Sequence, residues 1–116
     1  MKKIYYLSTC DTCKRIINEL ELKEKSFEFQ DIKTDKITTQ QLAELHALAG
    51  SYEALFSRMA RKYKELDLAS KALTEDDYKH YLLEEYTFLK RPVILYKKEI
   101  FIGNSKTTID IVKAII

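Results

Sequence analysis

The chain has 116 residues, with 20 Lys or Arg against 18 Asp or Glu and a formal net charge of +2. A hydrophobic fraction of 46% beside 33% charged residues suits a single domain, 1–116, with a buried core, and it excludes a collagen-like repeat and wholesale disorder. So even a balance of charge argues against a general nucleic-acid or membrane-surface binder.

No apolar run approaches the ~18 residues that a membrane span requires. Met1-Lys2-Lys3 resembles the charged start of a secretion signal, but only Ile4-Tyr5-Tyr6-Leu7 follows before Ser8-Thr9. A signal would need about 7–15 apolar residues there. Two cysteines are too few for a secreted disulfide scaffold. The expectation is a cytoplasmic protein in which paired thiols do chemistry.

One Pro and two Gly leave no room for a flexible linker. Lys3 to Leu7 is aromatic and branched, as a buried strand is, and Lys14 to Leu22 carries Ile16, Ile17, Leu20 and Leu22 at helical spacing. Ser26 to Ile32 alternates Phe27 and Phe29 with Glu28 and Gln30, the period of a strand. The first third therefore reads β-α-β.

Thr38 with Gln41 signals a capping box ahead of Leu42, Leu45 and Leu48, and Gly50 is a stop. Tyr52, Leu55, Phe56 and Met59, then Tyr63 and Leu66, predict two more short helices. Thr74 with Asp77 opens another, which carries Tyr78, Tyr81 and Leu82. A helical insertion thus occupies about 38–86. After Pro92, Val93 to Tyr96 and Ile100 to Ile102 form two strands joined through Lys97-Lys98-Glu99, a hairpin length. Thr107 to Ile116, with Ile109, Val112, Ile115 and Ile116, closes the chain as an amphipathic helix. The whole is an α/β fold: β-α-β, a helical insertion, then β-β-α with an antiparallel hairpin.

Cys10-Asp11-Thr12-Cys13 sits where the first strand hands over to the first helix. Thiols at i and i+3 across a helix start lie within disulfide reach. Cys10 at the helix N-terminus meets unpaired N–H groups and the positive dipole end, which favour a thiolate and depress its pKa. Cys13, one turn in, is more shielded and suits the thiol that resolves a mixed disulfide on Cys10. The bland reading is two buried cysteines that pack as small hydrophobes. Two cysteines placed at random in such a chain fall three apart only about 2% of the time, which favours the redox reading. A closed zinc site needs about four ligands. Only His46 and His80 remain, far apart on helices, so no metal is expected.

Arg91-Pro92 precedes the hairpin. Pro there is either a device for opening a strand or, in this arrangement, a cis-Pro that sets a backbone loop facing the thiols, with Arg91 holding an oxyanion. Arg58-Met59-Ala60-Arg61-Lys62 and Lys97-Lys98 read as solvated faces, and the eight Tyr and five Phe read as core and half-buried positions. No direct nucleic-acid site is expected.

In order and spacing the chain resembles the ArsC/Spx family of thioredoxin-fold proteins over nearly its whole length. The resemblance rests on Tyr6-Leu7-Ser8-Thr9-Cys10-Asp11-Thr12-Cys13-Lys14-Arg15, on Phe56-Ser57-Arg58 with Tyr63-Lys64-Glu65-Leu66, and on Leu89-Lys90-Arg91-Pro92-Val93-Ile94-Leu95. It implies a thioredoxin-like fold with a mixed sheet and a nucleophilic Cys10 that, in the arsenate reductases, attacks arsenate and is resolved by glutathione and glutaredoxin. Arg91 matches the family's oxyanion-binding arginine before proline. A thiolate attacks an oxyanion only where cations offset the repulsion, and a planar guanidinium can hold two oxygens at once.

The chain departs from the reductase pattern in two places. The family's later arginine falls near Gly103-Asn104-Ser105, where Lys106 is only a neighbour, and Lys14 replaces an Arg four places after the nucleophile. Arg58 or Arg61 could stand in for the reductases' mid-chain arginine. The second cysteine is typical of the Spx-like branch, whose members are redox-switched and bind RNA polymerase.

Two readings follow from the resemblance. One is a thiol oxidoreductase with no bound cofactor, drawing on glutathione and a glutaredoxin- or thioredoxin-type reductant to act on a small oxyanion. The other is an Spx-like regulator that binds RNA polymerase without turnover.

Overall fold

The computed structural model describes residues 1–116. In chain order the elements are β1 (Lys2–Tyr6), α1 (Asp11–Glu19), β2 (Glu28–Asp31), α2 (Thr39–Ala49), α3 (Arg61–Glu65), α4 (Glu75–Glu84), β3 (Val93–Tyr96), β4 (Glu99–Ile102) and α5 (Lys106–Ile115). Single 3-10 turns lie at Leu22–Lys25, Glu53–Leu55, Leu68–Ser70 and Tyr86–Phe88. The chain divides into two units, Met1–Lys36 with Arg91–Ile116, and Ile37–Lys90. No helix is long and apolar enough to cross a membrane.

The first unit holds a four-stranded mixed sheet in the order β2-β1-β3-β4. β1 runs parallel to β2 and antiparallel to β3, and β3 pairs antiparallel with β4. Side chains alternate across the sheet, so one face presents Ile4, Tyr6, Phe29, Ile94, Tyr96 and Phe101. Ile16 and Ile17 from α1 and its C-cap Leu20, with Ile109 and Val112 from α5, close over that face. Each fully buried aliphatic chain there contributes on the order of 1.5–3 kcal/mol before conformational entropy is subtracted. The central strands are buried residue after residue, which is why Ile4-Tyr5 and Val93-Ile94-Leu95 read as continuous apolar runs.

The helical unit is organised around Phe56, fully buried, with ring centroids 4.8 Å from Phe88, 4.9 Å from Tyr78 and 6.2 Å from Tyr63. Both capping boxes are present: Thr38 exchanges hydrogen bonds with Gln41, and Thr74 with Asp77. These bonds satisfy N–H groups that a helix start leaves without intrahelical partners. Gly50 ends α2 with φ +90°, a left-handed conformation that costs a side chain energy. The Phe56 and Leu89 backbones form a bridge, with Ser57 N–H donating to Phe88 O at 2.7 Å and Lys90 N–H to Leu55 O at 2.9 Å.

Several boundaries differ from those expected. The first helix starts with Cys10 as N-cap and Cys13 one turn in, as expected for the thiols, but it ends at Glu19 instead of running to Leu22. β2 is shorter than Ser26–Ile32 because Ser26 takes φ 62° and turns the chain before the ladder starts. Tyr96 pairs directly with Glu99, so the hairpin loop is Lys97-Lys98, two residues instead of three; Lys97 takes the positive φ (57°) that Gly or Asn usually supplies. Between Tyr52 and Leu66 there is one 3-10 turn and one five-residue helix, and Met59 (93% exposed) faces solvent. Three or four apolar residues at helical spacing do not distinguish a short helix from a string of turns.

Candidate active site

α1 begins as the chain leaves β1. Cys10 is its N-cap, with extended backbone (φ −95°, ψ 113°); its N–H donates to Leu7 O and its carbonyl accepts from Lys14 N–H, both at 3.1 Å. Cys10 is half-buried and Cys13 is fully buried, and both are free thiols.

Burial alone would raise the Cys10 pKa. Hydrogen bonding from the backbone N–H and the thiol of Cys13, the positive charge of Arg91 and the N–H of Thr12 outweigh it, and the group is held below its ordinary value. Cys13 goes the other way: burial first, then hydrogen bonding to Cys10 and the charge of Cys10, push it up to about 11 against the pull of Arg91 and the Leu7 backbone. A thiolate-favouring sulfur and a proton-retaining one thus sit one helical turn apart.

The Arg91–Pro92 peptide bond is cis. Pro92 is buried and its carbonyl accepts from Gly103 N–H at 2.9 Å, which ties the start of β3 to the end of β4. Arg91 belongs to the same unit as the cysteines, and its charge acts on both.

The other cations are placed differently. Arg58 lies in the helical unit, where Nη2 donates to Glu53 Oε2 at 2.7 Å and to the Tyr78 hydroxyl at 3.0 Å. Arg61 opens α3, exposed. Lys106 pairs with Asp110 at 3.1 Å, and Ser105 caps α5 by accepting from Thr108 N–H at 3.2 Å. Lys14 lines a cavity of about 310 Å³ together with Lys23 and Tyr6, and neither Cys10 nor Arg91 contributes to its walls. No three His, Cys, Asp or Glu side chains converge as a metal site would need. His46 stacks on Tyr52, centroids 4.0 Å apart, and His80 Nε2 lies 2.6 Å from Glu84 Oε2.

A residue pair that the motifs did not flag supports the thiol loop. Ser8, through its hydroxyl and its N–H, favours the ionised form of the Asp31 carboxylate, which accepts a hydrogen bond from Lys33 N–H at 3.2 Å. Burial works against the Asp31 carboxylate, but these donors hold its pKa below the ordinary value. The parallel register sets Tyr6 opposite Asp31, so the residues just beyond β1 come beside the end of β2. A parallel pairing inferred from the β-α-β pattern, followed to its strand ends, is the signal that would have found it.

The family model of the ArsC family matches residues 5–112. The chain belongs to the ArsC family. An ArsC family related protein from Bacteroides fragilis is 22% identical, with TM-score 0.80 and 96% of each chain covered. The arsenate reductase from Vibrio cholerae is 18% identical, with TM-score 0.79, covering 99% of this chain and 97% of its own. A Staphylococcus aureus protein is 29% identical, with TM-score 0.74 over 93% of this chain and 94% of its own. No curated protein matches. The α/β, thioredoxin-like expectation holds: the mixed sheet, the α1 and α5 layer and the helical segment between β2 and β3 are those of ArsC family folds.

Proposed function

We propose that this ArsC family chain is a thiol oxidoreductase in which Cys10 is the nucleophile, Cys13 the resolving thiol and Arg91 the anion ligand. The observation that carries the reading is the CxxC pair at the start of α1, with Cys10 half-buried as the N-cap and Cys13 buried one turn in, in the same unit as Arg91 and its cis peptide bond to Pro92. With arsenate as substrate, the Cys10 thiolate forms a sulfur–arsenic bond as one arsenate oxygen leaves, protonated, as water. Attack by Cys13, as a thiolate, on the Cys10 sulfur then breaks that bond. Its electron pair stays on arsenic, giving arsenite and a Cys10–Cys13 disulfide. Glutathione with a glutaredoxin- or thioredoxin-type protein supplies the two electrons that restore the dithiol. On a disulfide substrate, attack by Cys10 releases one half as a thiol and resolution by Cys13 releases the other, leaving the Cys10–Cys13 disulfide.

Arg91 serves because a guanidinium can hold two oxygens of the anion while offsetting its repulsion of the thiolate. Arg91 is the anion ligand this reading relies on; Lys14 lines the cavity beside α1, and Arg58 is held by Glu53 and Tyr78 within the helical unit. Arsenate-dependent NADPH oxidation, coupled through glutathione, glutathione reductase and glutaredoxin, tests the reading. Turnover by wild type and none by Cys10→Ser is expected; no turnover from reduced, folded wild type overturns the arsenate assignment.

A second reading is favoured by the second cysteine, Cys13, since the CxxC spacing is typical of the Spx-like branch. In it the dithiol–disulfide change alters a surface that binds RNA polymerase, and co-purification that depends on Cys10 and Cys13 would select it.

A further inference from the structure

At the edge of the sheet, between α1 and the 3-10 turn Leu22–Lys25, lies an open cavity of about 310 Å³. That volume is at the small end of the ~300–1,000 Å³ range of small-molecule sites. Its apolar wall is aromatic: Tyr6 and Phe29, both half-buried, meet edge to face with centroids 5.8 Å apart. Its polar rim holds Lys14 and Asn18, one turn apart on α1, with Ser8 and, from the neighbouring turn, Lys23. The other lysines shown in ion pairs have carboxylate partners: Lys3 with Glu28, Lys62 with Glu65 and Lys106 with Asp110. Lys14 and Lys23 make no ion pair, and the Asn18 side chain makes no hydrogen bond.

Two ammonium groups brought to one concavity repel each other, and an anion between them relieves that repulsion. Aromatic rings with an accessible face or edge favour a planar, apolar body. We propose that this cavity binds a small planar organic anion, an aromatic ring carrying a phosphate or carboxylate. The ring packs against Tyr6 and Phe29, the anionic group is shared by Lys14 and Lys23, and the Asn18 amide reads a polar edge. The site is separate from the thiols and does not depend on the proposed reaction.

The test is a two-dimensional amide NMR titration of the reduced full-length chain with phenyl phosphate, with benzoate and with inorganic phosphate. Saturable shifts at Tyr6, Ser8, Lys14, Asn18 and Phe29 are expected with at least one aromatic anion, at a Kd below ~1 mM. Whichever of phenyl phosphate and benzoate binds more tightly identifies the anionic group. The Lys14→Gln, Lys23→Gln variant replaces two exposed side chains, keeps the dispersed amide spectrum of wild type and binds about tenfold or more weakly. No saturable shift with either aromatic anion, shifts confined to Cys10, Cys13 and Arg91, or unchanged affinity in the variant would each overturn the site. Inorganic phosphate binding as tightly as phenyl phosphate would overturn the role of the aromatic wall.

Discussion

Cys13 stands one helical turn from Cys10 and stabilises its negative charge through both backbone N–H and thiol, while the same contact makes Cys13 itself harder to ionise. In the proposed reaction Cys10 reacts first; once its charge is lost in a covalent adduct, one of the causes that raise Cys13 disappears, and the second thiol becomes a better nucleophile.

Alkylation by iodoacetamide should therefore modify Cys10 selectively at neutral pH. Arg91→Gln removes a positive charge that favours the thiolate, so its rate–pH profile moves to higher pH. Its rate at neutral pH falls by a factor on the order of 3–10. Arg91→Lys retains most of the wild-type rate. Superimposable profiles for wild type and Arg91→Gln would remove Arg91 from the site.

The raised pKa of Cys13 has a signature in stability. A buried thiol that keeps its proton up to about 11 binds one more proton in the folded state than in the unfolded chain, whose thiol titrates near ~8.5. Its contribution is full below ~8.5 and is lost as pH rises through the folded value. Urea denaturation of the reduced protein across that interval should show stability declining more steeply in wild type than in Cys13→Ala. Parallel curves would contradict the assignment.

Asp31 anchors the loop that presents Cys10. Its lowered pKa means that its contribution is present above ~3.9 and fades as pH falls through the folded value. Asp31→Ala removes the carboxylate that Ser8 favours and the acceptor for Lys33 N–H. It should cost about 1 kcal/mol in denaturant melts at neutral pH and almost nothing at the acid end, where the carboxyl is protonated in both states.

In the helical unit, Phe56→Ala opens a cavity among Phe88, Tyr78 and Tyr63. A loss of about 3–5 kcal/mol is expected. Tyrosine fluorescence during urea unfolding measures it directly, since the chain contains no Trp. A loss below ~1 kcal/mol would mean that the site collapses around the smaller side chain.

Most of the architecture was legible because its signals are local. Thr38 with Gln41 and Thr74 with Asp77 close their capping boxes within one helical turn, and the alternation of Phe27 and Phe29 marks a strand whatever lies beside it. The central strands were legible for a different reason: burial leaves no polar positions in Val93-Ile94-Leu95. The two-residue turn at Lys97-Lys98 was not, because Lys97 adopts φ 57° without the glycine or asparagine that announces it. Met59 and Leu66 helped to mark two short helices by their spacing, yet they are 93% and 42% exposed, since spacing alone does not say which face of a short helical segment meets solvent.

What the sequence determined by itself is the α/β order of the elements and the placing of two thiols three residues apart at a helix start, both consequences of short-range geometry. Tertiary structure decided the environments. Arg91, some eighty residues along the chain from Cys10, acts on its charge only because the antiparallel pairing of β1 with β3 returns the chain to the sheet beside the start of α1. Parallel pairing of β1 with β2 likewise brings Asp31 to Ser8. Charge and hydrogen bonding depend on distance in space, and long-range strand pairing sets those distances in ways that no local pattern records.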